Sequence, residues 1–198
     1  MMILRTSAAS PFARKARIVA DLLGLAAEIE LAETDTGNPE DSIRSQNPLG
    51  KIPALVLENG EVIYDSAVIV EYLDAKAGGG KVIPAGENRF KTLTLQALAD
   101  GICDAAVVLR YEQLWRAPEA RSVDWTAHQN GKIDRALAWA EAHPPAAGAK
   151  DAGAVALACA LGYLDLRFEG RWRAHHPRLV AWLESFSAAV PAFEATRA

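Results

Sequence analysis

The chain has 198 residues, 51% of them hydrophobic and 23% charged, with a net charge of −4. That length accommodates one large or two small domains with real cores. The acidic balance and scattered cations argue against a nucleic-acid surface, which shows basic residues clustered on one face. The N-terminal MMILRTSAAS is too short an apolar segment for a signal peptide, and AGAVALACALGYL is too short to span a bilayer. Cys103 and Cys159 lie far apart without a CxxC or a neighbouring His, and read as buried small hydrophobes in a reducing compartment. The expectation is a soluble, cytoplasmic protein with neither nucleic acid nor membrane as partner.

In chain order, Met2 to Arg5 reads as a strand. Phe12, Ala16, Val19 and Leu23 recur at helical spacing, so Pro11 to Leu23 reads as a helix, with proline in the first turn and Gly24 as its stop. Glu28 to Ala32 is a second strand, followed by the polar connection TDTGNPED. Ala54 to Leu57 and Val62 to Tyr64 are strands, and Asn59-Gly60 between them is a hairpin signal. Ser66 is then the expected N-cap of the helix AVIVEYLDAK. The order β-α-β-(α)-β-β-α describes an α/β unit on a mixed sheet, part parallel and part hairpin.

AGGGKVIPAGEN breaks this pattern with glycines and a proline. Beyond it the chain is helical. Leu95, Leu98, Ile102, Ala105 and Leu109 form one stripe; Ile133, Leu137 and Ala140 a second; Leu157, Leu161, Leu164 and Phe168 a third. HPPAAGAK separates the second and third, and Pro177 opens a last helix with Leu179, Trp182, Leu183 and Phe186 inward, ended by Pro191. The division expected is an α/β domain over residues 1–76, a linker over 77–88 and an all-α domain over 89–198.

Three features of the first half bear on chemistry. Ser10 precedes a helix N-terminus, where the field stabilises an anion; no base stands nearby to make it a nucleophile. Pro53 stands immediately before a strand, where a cis Ile52–Pro53 bond would expose the backbone of Ile52 to an extended peptide. Asp65 and Ser66 open a helix whose unpaired N–H groups suit a carboxylate. Taken singly, each has a plainer reading: two helix caps, and an ordinary trans proline at a strand start.

Together they resemble the thioredoxin-like domain of the glutathione S-transferase superfamily, carried by SPFARKARIVADLLGL, NPLGKIPALVLENG and YDSAVIVEYLD in order over about 75 residues. The segment ALACALGYLDLRFEGRWRAHHPRLVAWLESFSAAVPAF is similar to the helical domain of bacterial YibF-like members. The resemblance implies the glutathione S-transferase fold, a thioredoxin-like α/β domain followed by an all-α domain. It implies a cis-proline at Pro53, with Ile52 pairing the cysteinyl part of glutathione. Asp65 and Ser66 would hold the γ-glutamyl end, and Lys51 would approach the glycyl carboxylate. Ser10 matches the residue that faces the sulfur in serine-type members, with Phe12 beside it in the glutathione site.

A serine cannot form a mixed disulfide, so transfer of the glutathione thiolate to an electrophile is the implied reaction, with glutathione as co-substrate, no metal, and a homodimer as the assembly. A binding or regulatory module without turnover is the alternative, and weak peroxide reduction a third. Ser7 is a competing hydroxyl, and Arg5-Thr6-Ser7 excludes a tyrosine mechanism. Tyr111 and Trp115 are candidate contacts for an apolar electrophile between the domains. His175-His176 face different ways with no third ligand near, and suit cap or surface roles. Asp151 opens a central helix with Ala154 in place of the family's reciprocal carboxylate, an expected cost of about 1 kcal/mol.

Overall fold

The computed structural model describes residues 1–198. Strand β1 (Met2–Thr6) leads into helix α1 (Pro11–Leu22), then β2 (Ile29–Glu33), the short α2 (Ile43–Gln46), β3 (Ala54–Val56), β4 (Val62–Ile63) and α3 (Ser66–Lys76). The sheet order is β2-β1-β3-β4; β1 and β2 are parallel, and the other two pairings are antiparallel. This is the mixed sheet expected from the order of elements, because a parallel pair needs a crossover and α1 supplies it. Asn59 and Gly60 close the β3–β4 hairpin, with Gly60 at φ 87° where a side chain would be strained.

Helices α1 and α3 pack together against the sheet through Ala16, Val19, Ile69, Val70 and Leu73, all buried. Strand β2 is an edge with Leu31 half exposed.

The second part is helical from α4 (Glu87–Trp115) through α5 (Val123–Ala142), α6 (Ala152–Phe168), α7 (Pro177–Ala189) and α8 (Pro191–Ala195). Helix α4 is long and apolar enough to cross a membrane by length and composition; in the fold its apolar side packs on α5 and α6. Helix α6 is buried nearly all round from Ala152 to Leu164, as a helix without a polar face must be.

The stripes on α5, α6 and α7 lie inward largely as expected, with Phe168 only partly buried. On α4 Ile102, Ala105 and Leu109 of the expected stripe are buried, joined by Ala99, Cys103 and Ala106, while Leu95 and Leu98 sit at the border. The reason is the crossing with α6, where small residues on both helices let the backbones approach. Pro191 ends α7 and also opens α8, because proline is at home in a first helical turn.

One apolar core runs through both parts. Two cations of the SPFARK motif tie them together. Lys15 is 1% exposed, and its ammonium lies 2.7 Å from both carboxylate oxygens of Asp100 on α4. Arg14 donates through Nε to Thr196 Oγ1 at 3.2 Å and through Nη2 to the Phe193 carbonyl, fastening α1 to α8.

Candidate functional site

The register of the sheet brings three chain segments to one end. Arg5 pairs with Ala54 across β1 and β3, and Leu55 with Ile63 across β3 and β4. Continuing each ladder by one or two residues places Thr6 and Ser7 beside Pro53 and Ile52, and Pro53 beside Asp65. The loop from Ser7 to Ser10 and the N-terminus of α1 follow directly from the same end of β1.

The segment ahead of Pro53 is held in place by its own side chains. Asn47, 2% exposed, donates through Nδ2 to the Lys51 carbonyl at 2.9 Å and accepts the Leu49 N–H at 3.0 Å. Gly50 at φ 60° makes the turn, and its N–H reaches the Asn47 carbonyl at 2.8 Å. Arg5 anchors the preceding loop. Its guanidinium donates to Thr34 Oγ1, Ser42 Oγ, Gln46 Oε1 and Asp41 Oδ1 at 2.6–3.0 Å. The Ile52–Pro53 bond is cis, as is Tyr64–Asp65. The N–H and C=O of Ile52 make no hydrogen bond within the protein, so both remain available to an extended ligand. Lys51 is exposed beside them.

Ser10 is the N-cap of α1. Its Oγ accepts the Ala13 N–H at 3.2 Å, and its carbonyl accepts the Arg14 N–H at 3.0 Å. The cap uses a lone pair only, so the hydroxyl proton stays free to be donated elsewhere. The Phe12 N–H has no acceptor in the protein, and Phe12 is partly buried against the core. A free hydroxyl proton and a free amide at the positive end of a twelve-residue helix suit an anion.

At α3 the sequence-based assignment is corrected. The N-cap is Asp65, whose Oδ1 accepts the Ala67 N–H at 3.0 Å; Ser66 is the first helical residue and is buried. Asp65 has an extended backbone at φ −88° and ψ −161° while Ser66 is already helical, so the carboxylate takes the capping role. The Ser66 hydroxyl and N–H are thereby left without partners in the protein.

Two carboxylates that the sequence did not single out adjoin this corner. Burial raises the pKa of Asp100, Lys15 pulls it back, and Asp65 and Asp104 raise it further. Burial likewise raises Asp104, opposed by Lys51 and reinforced by Asp65. The negative charge of Asp65 thus acts on both Asp100 and Asp104. The one sequence signal was their spacing on α4, where residues four apart share a face.

A cavity of about 500 Å³ opens beside Ser10. Its walls are the Ala8–Pro11 turn, Gly162, Tyr163 and Leu166 of α6, and residues of α7, α8 and the chain end. Tyr111 and Trp115, expected to face the electrophile, do not line it; they are 50% and 73% exposed near the end of α4. Helix α6, not α4, presents the wall because it is the helix that α1 packs against more extensively.

Comparison with known proteins completes the description. Residues 9–76 match the family model "Glutathione S-transferase, N-terminal domain", and residues 123–185 match "Glutathione S-transferase, C-terminal domain". An uncharacterised GST-like protein of Escherichia coli (strain K12), YibF, is 34% identical over 190 residues, 93% of each chain. A glutathione transferase family member from Pseudomonas fluorescens Pf-5, crystallised with bound glutathione, is 44% identical with a TM-score of 0.92, over 100% of this chain and 98% of that one. The same relative with bound S-(propanoic acid)-glutathione superposes with a TM-score of 0.88, over 100% and 99%. With the sheet, the helical domain and both family matches in agreement, the chain belongs to the glutathione S-transferase family.

Proposed function

We propose that the protein binds glutathione at this end of the sheet and stabilises its thiolate for transfer to an electrophile. The observation that carries the reading is the convergence of unpaired donors: the Ser10 hydroxyl proton, the Ile52 backbone and the Ser66 end of α3. The glutathione bound to the Pseudomonas relative supports it.

In this reading the cysteinyl backbone pairs with Ile52 beside Pro53. The γ-glutamyl carboxylate meets the Ser66 N–H and hydroxyl, and its ammonium meets the Asp65 corner. Lys51 approaches the glycyl carboxylate, and Phe12 offers its amide beside the sulfur. The thiol releases its proton to solvent, and the Ser10 hydroxyl donates to the sulfur anion. The sulfur lone pair then forms a C–S bond as the electrophile's leaving group departs with its bonding electrons.

A free thiol has a pKa near 8.5. One charge-assisted hydrogen bond with a helix N-terminus would lower it by about 2 units, or ~2.7 kcal/mol.

Glutathione binding by calorimetry and turnover over a panel of electrophiles test the proposal, with Ser10→Ala alongside. The expected outcome is binding in the millimolar range or tighter. In Ser10→Ala the thiolate pKa should rise by roughly 1–2 units, with a matching ~3–25-fold fall in thiolate and turnover near neutral pH. No binding at millimolar glutathione ends the reading. Binding without turnover of any electrophile identifies a binding module. An unchanged thiolate pKa in Ser10→Ala moves the role to Ser7 or a backbone amide.

A homodimer is part of the same proposal. Val68 and Phe90, both largely exposed, flank the Arg89–Glu71 ion pair between α3 and α4, and light scattering should give twice the chain mass. Two free, buried cysteines accord with a cytoplasmic location.

A further inference from the structure

Arg14 stands out among the cations around the cavity beside Ser10. It is 8% exposed and has no carboxylate within ion-pair distance, whereas Arg173 pairs with Asp165 at 2.6 Å and Arg197 with Glu194 at 3.2 Å. Glu184, also on the wall, acts on Arg173, and the charge of Glu194 acts on Arg14 at longer range. Two of the three Arg14 nitrogens are used, Nε on Thr196 and Nη2 on the Phe193 carbonyl, and the guanidinium carbon stacks 4.0 Å above the Phe193 ring.

Nη1 has no acceptor. It lies against Gly162, where an added Cβ would come within 2.6 Å of it. Gly162 sits at an ordinary helical φ in the middle of α6, so its backbone does not require glycine. Nη1 therefore occupies the space that a side chain at residue 162 would take, and both residues line the cavity.

We propose that Nη1 of Arg14, packed against Gly162 on the cavity wall, is an anion subsite that takes a carboxylate on the electrophile, and so selects acidic electrophiles. This rests on glutathione binding as set out above. Ser10 and Arg14 are four residues apart, one turn or about 6 Å along α1. Both line the same cavity, so an electrophile joined to a sulfur at Ser10 occupies the space that Arg14 lines. A buried guanidinium with an open N–H gains a charge-assisted bond from a carboxylate, and a neutral amide of the same shape gains less.

The test is calorimetric binding of two isosteric conjugates, S-(2-carboxyethyl)glutathione and S-(2-carbamoylethyl)glutathione, with glutathione as reference. The wild type should bind the acid about tenfold more tightly than the amide, or ~1.4 kcal/mol. The acid-to-amide ratio should fall to about one in Gly162→Ala, which crowds Nη1 and leaves the charge in place. It should also fall in Arg14→Gln. Arg14 additionally fastens α8, so Gly162→Ala keeps the test decisive where Arg14→Gln fails to fold. Glutathione binding without an acid preference in the wild type overturns the subsite, as does a preference that survives Gly162→Ala. Failure of glutathione itself to bind overturns instead the reading beneath it.

Discussion

Asp151→Ala tests how the central helix of the protein is held. The four N-terminal amides of α6 have a complete set of acceptors. The Ala152 N–H goes to the Val82 carbonyl at 2.8 Å, those of Gly153 and Ala154 to Asp151 Oδ1 at 2.9 and 3.0 Å, and that of Val155 to the Asp151 carbonyl at 3.0 Å. The reciprocal carboxylate that Ala154 lacks would accept the Asp151 N–H, which has no acceptor in the protein; Val82 serves the Ala152 N–H.

Removing the Asp151 side chain orphans two amides whose residues are both buried. Gly153 is packed against the Thr92 carbonyl and Leu95 of α4. An exposed cap costs about 0.5–2 kcal/mol when lost, and each buried amide left unsatisfied about 1–3 kcal/mol. The expected loss is about 3 kcal/mol, above the exposed-cap range. In a chain of this size that lowers Tm by about 6–12 °C.

Thermal and urea denaturation followed by circular dichroism measure it, with an unchanged urea slope showing that stability alone has moved. Asp151→Asn keeps the acceptor and should stay within about 1 kcal/mol of the wild type, the share owed to charge at a helix N-terminus. A Tm fall of less than about 3 °C in Asp151→Ala, corresponding to ~1 kcal/mol, refutes the reasoning. So does an Asp151→Asn variant as unstable as Asp151→Ala, since charge would then matter in place of the acceptor.

Two further outcomes are expected. Burial pushes the Cys159 thiol up to about 12 and the Cys103 thiol well above its ordinary value. Neither should therefore react with iodoacetamide in the native protein near neutral pH, and both should react in denaturant; intact mass reads the result, and alkylation of the folded protein would contradict their burial. The Ile43 and Asp35 amides together with Arg5 hold the Asp41 carboxyl below its ordinary pKa. Its stabilising contribution is then present above the unfolded value of about 3.9 and is lost as pH falls through the lower folded value. The urea midpoint of Asp41→Asn should accordingly lie below the wild type near neutral pH and converge with it in acid. A gap that persists undiminished in strong acid would show that the carboxylate charge is not what anchors this loop.

The first half of the chain was legible because its signals are local. Asn59-Gly60 names its own turn, Pro11 and Gly24 bracket α1, and the alternation of strand and helix leaves few arrangements of the sheet. The misreadings came where two elements compete for one role. Ser66 is as good a cap as Asp65 in sequence, and only the backbone path decides which side chain reaches the Ala67 amide. Leu95 and Leu98 carry the right period on α4 yet stay at the border, while Ile102, Ala105 and Leu109 of the same stripe are buried together with Ala99, Cys103 and Ala106.

What the sequence by itself determined were the elements, their order, the two-part division of composition and the motifs around Ser10, Pro53 and Asp65. These follow from near-neighbour sterics, hydrogen bonding and periodicity, which act over a turn or a strand. Tertiary structure alone decided that Arg14 and Lys15, outwardly two surface cations, lie buried and clasp α8 and α4. It also decided that Asp100 and Asp104 come within range of the charge of Asp65, and that α6 walls the cavity next to Ser10. Those contacts join residues some 40 to 180 positions apart, and burial and charge at a point in space depend on every chain segment that arrives there.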